Sequence, residues 1–282
     1  MYDNFATGRR DLLPDVETRL TVVEGDIVDQ AHLVRVARSW HPDVVIHLAG
    51  IHYIPYCNAH RMETLRVNGE GTQSVLEACR VAGIQRVVAA SSAAVYGISD
   101  RINCESDTPD PDDIYGISKV LTETLLRQYH REFGMACCAA RLCNVYGPNE
   151  TNPHVIPEIL GQLARSDEIQ LGNLDVYRDF VYVKDVARAL MALARARHIG
   201  FGIFNVGTGQ EYSIREVVQA CSEAVGHELH VQSVSSRRRR VDRPHLRADC
   251  SLMTQVADWR AQYGLREGLA ETIQTMAAVS SA

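Results

Sequence analysis

Tyr115 and Lys119 are the residues of this sequence whose types and spacing suggest chemistry. Side chains four residues apart on a helix share one face. A lysine ammonium favours the phenolate, so we expect Lys119 to lower the pKa of Tyr115 from its usual value of about 10. Tyr115 would then shuttle protons at neutral pH, and the Ser91–Ser92 pair could hold the oxygen whose proton moves. This set suits reversible alcohol–ketone chemistry with a nicotinamide cofactor. Tyr-x-x-x-Lys occurs by chance on many helix surfaces, so its surroundings must decide.

The segments around these residues alternate between strand and helix patterns. Gly83 and Gly134 each follow a long helical pattern, as helix-ending glycines do. Apolar strands that alternate with helices predict an α/β fold with a Rossmann-like, doubly wound parallel sheet. Sites in such sheets lie at the carboxyl ends of strands, where Ser92, Tyr115 and Asn144 fall. The predicted strands are Leu20–Glu24, Val44–Leu48, Arg86–Ala90 and Ala136–Leu142, and the predicted helices are Gln30–Ser39, Glu63–Ala82 and Tyr115–Phe133.

Composition narrows the class of protein. The chain has 282 residues, 46% of them hydrophobic, with a net charge of −6, so neither a nucleic acid nor a membrane is an expected partner. Its eight cysteines form no C-x-x-C pattern, which favours reduced thiols, a cytoplasmic location and no metal site. No signal peptide or membrane-length apolar run is seen.

The character of the chain changes after Pro148, where proline, glycine and short segments dominate. We therefore expect a cofactor domain at residues 1–148, completed by about 178–198. A smaller α+β substrate domain is expected at 149–177 and 199–282.

Eight segments together resemble the extended short-chain dehydrogenase/reductase family, specifically its nucleotide-sugar epimerases and dehydratases, of the UDP-glucose 4-epimerase kind. They keep the family's order and cover nearly the whole chain. The segments are Asp3–Gly8, Gly25–Ile27, His47–Gly50, Val67–Thr72, Ser91–Gly97, Tyr115–Lys119, Arg141–Pro148 and Arg178–Val183.

The resemblance implies a role for each matching residue. Tyr115 would be the general acid/base, Lys119 would tune it and hold the nicotinamide ribose, and Ser92 would bind the reacting sugar oxygen. A carboxylate at Asp3 suits NAD better than NADP. The implied NAD-binding residues are Asp3, Asn4, Asp26, Ile27, Leu48, Ala49, Gly50, Asn68, Tyr115 and Lys119.

The implied partner is a nucleotide-diphosphate sugar. Its binding residues would be His52, Ser92, Asn144, Val155 and Arg178, together with one of the four arginines at 237–240. Outside the family context, Asp3 could be a plain strand end and Arg178 a surface charge. Family members commonly dimerise through their two long helices, so the resemblance also implies a homodimer.

Ala93 and Ala94 bear on the reaction. Family dehydratases and decarboxylases place acidic groups after the catalytic serine or threonine, and two methyl groups cannot do acid/base work. A 4-epimerase acting through a transient 4-keto sugar is therefore expected, with a 4-ketoreductase or a 4,6-dehydratase as alternatives. A non-catalytic dinucleotide or nucleotide-sugar binding protein is the alternative of another class.

The sequence departs from the family at its start. The first strand, the glycine-rich turn and the first helix, which would bind the cofactor pyrophosphate, should precede Asp3. We expect a fragment or a misassigned start, and the competing interpretation is a truncated protein without catalysis. A chain that begins at Met1 is expected to bind NAD poorly and to expose strand edges.

Overall fold

The structure is a computed structural model that describes residues 1–13, 19–237 and 243–280. It forms two compact units. The first contains Met1–Gly97, Pro109–Arg141 and Leu190–Phe204, and the second contains Ile98–Thr108, Leu142–Ala189 and Asn205–Ala282. These bounds differ from the expected domains because residues 98–108, 142–148 and 178–189 belong to the second unit and residues 199–204 to the first.

The first unit holds the strands and helices around Ser92, Tyr115 and Lys119. Its strands are β1 (Tyr2–Asp3), β2 (Val23–Glu24), β3 (Val45–His47), β4 (Arg86–Ser92), β5 (Ala136–Leu142) and β10 (Phe201–Val206). Its helices are α1 (Gln30–Trp40), α2 (Ile54–Ala59), α3 (Arg61–Leu65), α4 (Gly71–Ala82) and α5 (Ile114–Phe133).

The sheet of this unit has the strand order β10-β5-β4-β3, and β3 runs parallel to β4. A separate parallel pair joins β1 to β2. Across the described residues, β1 and β3 therefore each keep one backbone edge outside any strand ladder. The parallel pairs and their flanking helices confirm the predicted α/β class.

Two strands form the core against which α5 lies. Val87, Val88 and Ala89 of β4 are fully buried, as are Cys137 and Cys138 of β5. The Asp113 carboxylate caps α5 by accepting a hydrogen bond from the Gly116 amide at 2.8 Å. Gly134 ends the helix with φ of +69°. Both helix ends are thus set by local chemistry.

The prediction of one regular helix over Glu63–Ala82 is wrong, because the helix is interrupted. Helical structure begins earlier, at Arg61, and a π-helical turn at Arg66–Glu70 separates α3 from α4. An apolar pattern taken over the whole segment does not resolve a single turn whose hydrogen bonds shift by one residue.

The second unit is built from short elements around its own core. Its strands are β6 (Asn144–Tyr146), β7 (Glu168–Leu171), β8 (Tyr177–Arg178), β9 (Phe180–Tyr182), β11 (Tyr212–Ser213) and β12 (His230–Ser233). Its helices are α6 (Val155–Leu163), α8 (Ile214–Val225), α9 (Ser251–Ala257) and α10 (Leu265–Ser280), while α7 (Val183–Arg195) belongs to both units. The pairs β6–β9 and β7–β12 are parallel and β8–β11 is antiparallel. Over the described ranges, every helix is too short or too polar to cross a bilayer.

Candidate functional site

Helix α5 presents Tyr115 and Lys119 at the carboxyl end of β4. Lys119 is buried, and its Nζ donates a hydrogen bond of 2.9 Å to the carbonyl oxygen of Ala90. The same Nζ lies 5.7 Å from the centre of the Tyr115 ring. Lys119 is therefore fixed to the strand that ends at Ser92, with its ammonium over the Tyr115 ring.

Ser92 ends β4 and begins the 3₁₀ turn Ala93–Val95. Its Oγ accepts a hydrogen bond of 3.1 Å from the Ala94 amide, and its side chain also hydrogen-bonds the Tyr115 phenol. Ala93 and Ala94 are buried behind it. Two hydroxyls and one ammonium thus converge at the end of one strand, beside two methyl groups.

The expectation that Lys119 lowers the pKa of Tyr115 is wrong for this structure. Burial raises the pKa of Tyr115 to about 12, and the hydrogen bond from Ser92 opposes this only in part. Burial also lowers the pKa of Lys119 to about 8. Removing both groups from water penalises both charged forms, and the Lys119 ammonium is directed to the Ala90 carbonyl.

Gly116 is a site residue that the sequence did not single out. A Cβ built on it would lie well inside 3.0 Å of the Ala94 carbonyl oxygen and 2.7 Å from the Pro111 Cβ. Only glycine lets the first turn of α5 approach the 3₁₀ turn after Ser92 this closely. Its position beside Tyr115 was the signal that could have identified it.

Asn68, in the π-helical turn, clamps the segment that follows β3. Its Oδ1 accepts from the Ile51 amide at 2.7 Å, and its Nδ2 donates to the Ile51 carbonyl and to Ser118 Oγ, each at 2.9 Å. A Cβ on Gly50 would lie 3.0 Å from Asn68 Oδ1 and 3.7 Å from Lys119 Nζ. Gly50 therefore leaves the space in front of Lys119 open.

His47, at the end of β3, lies behind this segment. It is buried, and its Nε2 lies 3.0 Å from Thr72 Oγ1, which itself donates to the Asn68 carbonyl at 2.6 Å. Burial, with the nearby Lys119 charge, lowers the pKa of His47 to about 3. His47 is therefore a neutral ring that supports the residues in front of it.

The remaining predicted NAD-binding residues lie at the ends of β1, β2 and β3. Asp3 Oδ1 accepts from the Phe5 amide at 2.7 Å, and Asn4 Nδ2 donates to Asp26 Oδ2 at 3.1 Å. Ile27 is buried, whereas Leu48 is 56% exposed and Ala49 is also exposed. An exposed apolar pair beside the notch at Gly50, with carboxylates at the neighbouring strand ends, fits a dinucleotide lying across the strand ends.

The predicted sugar-nucleotide residues of the second unit occupy three separate elements. Asn144 begins β6, where its amide donates to the Asp179 carbonyl at 2.9 Å, and Val155 begins α6. Arg178 Nη1 donates to the carbonyl oxygens of Tyr177 and Arg243, each at 2.7 Å, which fixes its guanidinium.

Two further predictions concern His52 and the arginine run. His52 belongs to the first unit and is exposed. Arg237 ends a 3₁₀ turn and pairs with Glu158. Arg238, Arg239 and Arg240 lie outside the described residues, so the structure does not locate a phosphate contact among them.

Comparison with known proteins identifies the family of the chain. Residues 3–207 match the model of the NAD dependent epimerase/dehydratase family. The chain belongs to that family. It is 32% identical to a UDP-glucose 4-epimerase of Mycolicibacterium smegmatis, over 96% of this chain and 88% of the relative. It is also 30% identical to a GDP-6-deoxy-D-mannose reductase of Pseudomonas aeruginosa, over 81% of this chain and 78% of the relative.

A solved structure extends the likeness to three dimensions. The UDP-glucose 4-epimerase of Brucella ovis in complex with NAD superposes with a TM-score of 0.89 at 29% identity, over 98% of this chain and 89% of that one. The cofactor of this family is NAD. The chain is thus an extended short-chain dehydrogenase/reductase related to nucleotide-sugar epimerases.

Proposed function

We propose that the protein is an NAD-dependent nucleotide-sugar 4-epimerase that acts through a transient 4-keto sugar. The observation that carries the proposal is the convergence of Ser92, Tyr115 and Lys119 at the end of β4, with Ala93 and Ala94 buried behind them. The two methyl groups leave no acid to expel a leaving group from the sugar, which disfavours 4,6-dehydration.

Tyr115 exchanges a proton with the C4 oxygen of the sugar. Because its pKa is about 12, the phenol holds its proton at neutral pH and is ready to return one to a ketone. Oxidation of the C4 hydroxyl runs in the other direction and needs the phenolate as proton acceptor. The hydrogen bond from Ser92 favours that phenolate, while Lys119 is assigned to the nicotinamide ribose by the resemblance. NAD, which Asp3, Gly50 and Lys119 would help to hold, would supply the hydride acceptor and donor for C4.

The substrate we propose is a nucleotide-diphosphate sugar, and its diphosphate is assigned to Arg178 of the second unit. Arg178 suits a diphosphate because a planar guanidinium pairs with two phosphate oxygens at once. The carbonyls of Tyr177 and Arg243 hold that guanidinium in one orientation before the ligand arrives. We assign Asn144, Val155 and His52 to the same substrate, on the resemblance of their segments.

A 4-ketoreductase is the second candidate, because the reductase of Pseudomonas aeruginosa is as similar in sequence as several of the epimerases. The two reactions differ in their use of the cofactor. An epimerase returns the hydride within one turnover, whereas a reductase consumes one reduced cofactor for each product formed.

Stoichiometry therefore decides between the candidates. The protein would be incubated with substoichiometric NAD and UDP-glucose, UDP-N-acetylglucosamine or their uronic acids, and the products separated by chromatography. We expect inversion at C4 without accumulation of reduced cofactor, and its loss in Tyr115→Phe. Net oxidation of NADH or NADPH by a 4-keto sugar would favour the reductase. Tight ligand binding with no turnover of any of these sugars would leave the binding-protein alternative.

We also propose a cytoplasmic homodimer that associates through α4 and α5. The support is the resemblance, in which the two long helices pair between subunits. Phe133 of α5 is 39% exposed and lies against Arg80 of α4, so both helices contribute to that surface.

A further inference from the structure

Glu123 and Arg141 form a buried ion pair beneath the candidate catalytic residues. Arg141 Nε and Nη2 donate to Glu123 Oε1 and Oε2, each at 2.8 Å, in a bidentate arrangement. Both residues are almost fully buried, with Arg141 1% exposed and Glu123 3% exposed. Glu123 Oε1 also accepts a hydrogen bond of 2.6 Å from Ser91 Oγ. The carboxylate therefore joins a strand residue to an arginine through one rigid group.

The network touches helix α5, strands β4 and β5 and the turn that follows Ser92. Glu123 follows Lys119 by four residues and Tyr115 by eight, so the three side chains lie along one face of α5. Ser91 immediately precedes Ser92 on β4, and Arg141 belongs to the neighbouring strand β5. The Arg141 guanidinium also lies 4.8 Å from the centre of the Tyr96 ring, just after the 3₁₀ turn at Ser92. One cluster of side chains thus holds together helix α5, strands β4 and β5, and the turn that follows Ser92.

We infer that Glu123 and Arg141 are positioning residues that set the separation of Ser92 from Tyr115, with the Ser91 hydroxyl as the link to the strand. The inference rests on the proposed function of those two side chains. Neither Glu123 nor Arg141 touches the reacting atoms.

A purely stabilising role is a poor explanation for this pair. Burying two charges costs desolvation that their attraction barely repays, and apolar replacements of similar size are often neutral or stabilising. The ion pair fixes the relative positions of α5 and β4 through directed hydrogen bonds, which an apolar replacement would not do. A misplacement of about 1 Å can cost a reaction about 100-fold in rate.

The test separates geometry from stability with four variants of the full chain. Ser91→Ala removes only the link to β4, Glu123→Gln removes the charge, and Glu123→Leu with Arg141→Met replaces the pair by apolar groups. Ser74→Ala, at a buried serine of α4, is the matched control. We expect Ser91→Ala and the double variant to fold cooperatively while kcat falls roughly 10- to 100-fold and KM changes less than about threefold. The control should keep wild-type kcat.

A second readout needs no turnover. The ¹³Cζ resonance of Tyr115, assigned by its loss in Tyr115→Phe, reports the hydrogen bond from Ser92. We expect this resonance to shift in Ser91→Ala and Glu123→Gln and to stay in place in Ser74→Ala. If the wild-type protein epimerises none of the sugars, the proposed function fails while the resonance still tests the positioning role. Unchanged kcat and an unchanged Tyr115 resonance in a folded Ser91→Ala protein would overturn the inference. Ser91→Ala also decides the matter if the double variant does not fold.

Discussion

Gly116→Ala is the substitution for which the structure gives the sharpest expectation. The new methyl group would lie 2.7 Å from the Pro111 Cβ and even closer to the Ala94 carbonyl oxygen. Carbon atoms pack at about 3.5 Å or more, so 3.5 − 2.7 leaves the first turn of α5 about 0.8 Å too close. The obstacle on one side is backbone, which cannot rotate away as a side-chain end can.

The displacement falls on Tyr115, the neighbouring residue. If about 1 Å of misplacement costs about 100-fold, a shift of about 0.8 Å predicts a fall in kcat of roughly 30- to 100-fold. Stability should change much less. Overpacking costs about 1–3 kcal/mol, and replacing a helical glycine by alanine returns about 1 kcal/mol, so the free energy of unfolding should fall by about 0–2 kcal/mol.

The measurement pairs C4 inversion kinetics with urea unfolding. Gly161→Ala in α6 is the control, because Gly161 is exposed and its added Cβ would meet no atom within 4 Å. The control should gain about 0.5–1 kcal/mol and keep its kcat. Wild-type kcat in a correctly folded Gly116→Ala protein would refute the close-packing argument.

Three further outcomes are expected. The pKa of His47 falls from 6.5 to about 3 on folding, so between these pH values the unfolded chain binds a proton that the folded chain does not. The free energy of unfolding should therefore drop as pH falls from 6.5 towards 3, by up to about 1.4 kcal/mol per pH unit. Urea unfolding at several pH values should show this pH dependence and a smaller one in His47→Gln, and an equal pH dependence in that variant would contradict the assignment. Arg178→Lys should raise the KM for the nucleotide sugar by roughly 10-fold or more with kcat nearly constant, since lysine lacks the planar fork; steady-state kinetics would count against the assignment if KM stayed the same. Phe133→Glu should convert the dimer to a monomer in analytical ultracentrifugation, and an unchanged sedimentation coefficient would exclude this face.

Sequence patterns predicted the elements well where local chemistry sets them. The strand Ala136–Leu142 was predicted with its observed bounds, and α5 was predicted to within one residue because Gly134 ends it. The predicted strand Leu20–Glu24 is longer than the observed strand Val23–Glu24, because an apolar stretch forms a strand only where a neighbouring strand pairs with it.

Spacing along α5 predicted that Tyr115 and Lys119 lie together, but not the electrostatics around them. Tyr115 and Lys119 do lie together near Ser92, yet the pKa of Tyr115 is raised because burial outweighs the effect expected of the neighbouring ammonium. The cluster of Ser91, Glu123 and Arg141 escaped prediction because it depends on which strands lie side by side, information that spacing along one helix does not contain.

The π-helical turn at Arg66–Glu70 makes the site sensitive to helix phase. Each residue of an α-helix advances the chain by about 100° around the axis, so a turn with one additional residue is a fixed angular offset between α3 and α4. Deleting one residue from this turn would give a more regular helix and rotate Asn68 away from Ile51 and Ser118. A length change that improves the local helix would thereby release the loop in front of Lys119 and disable the site.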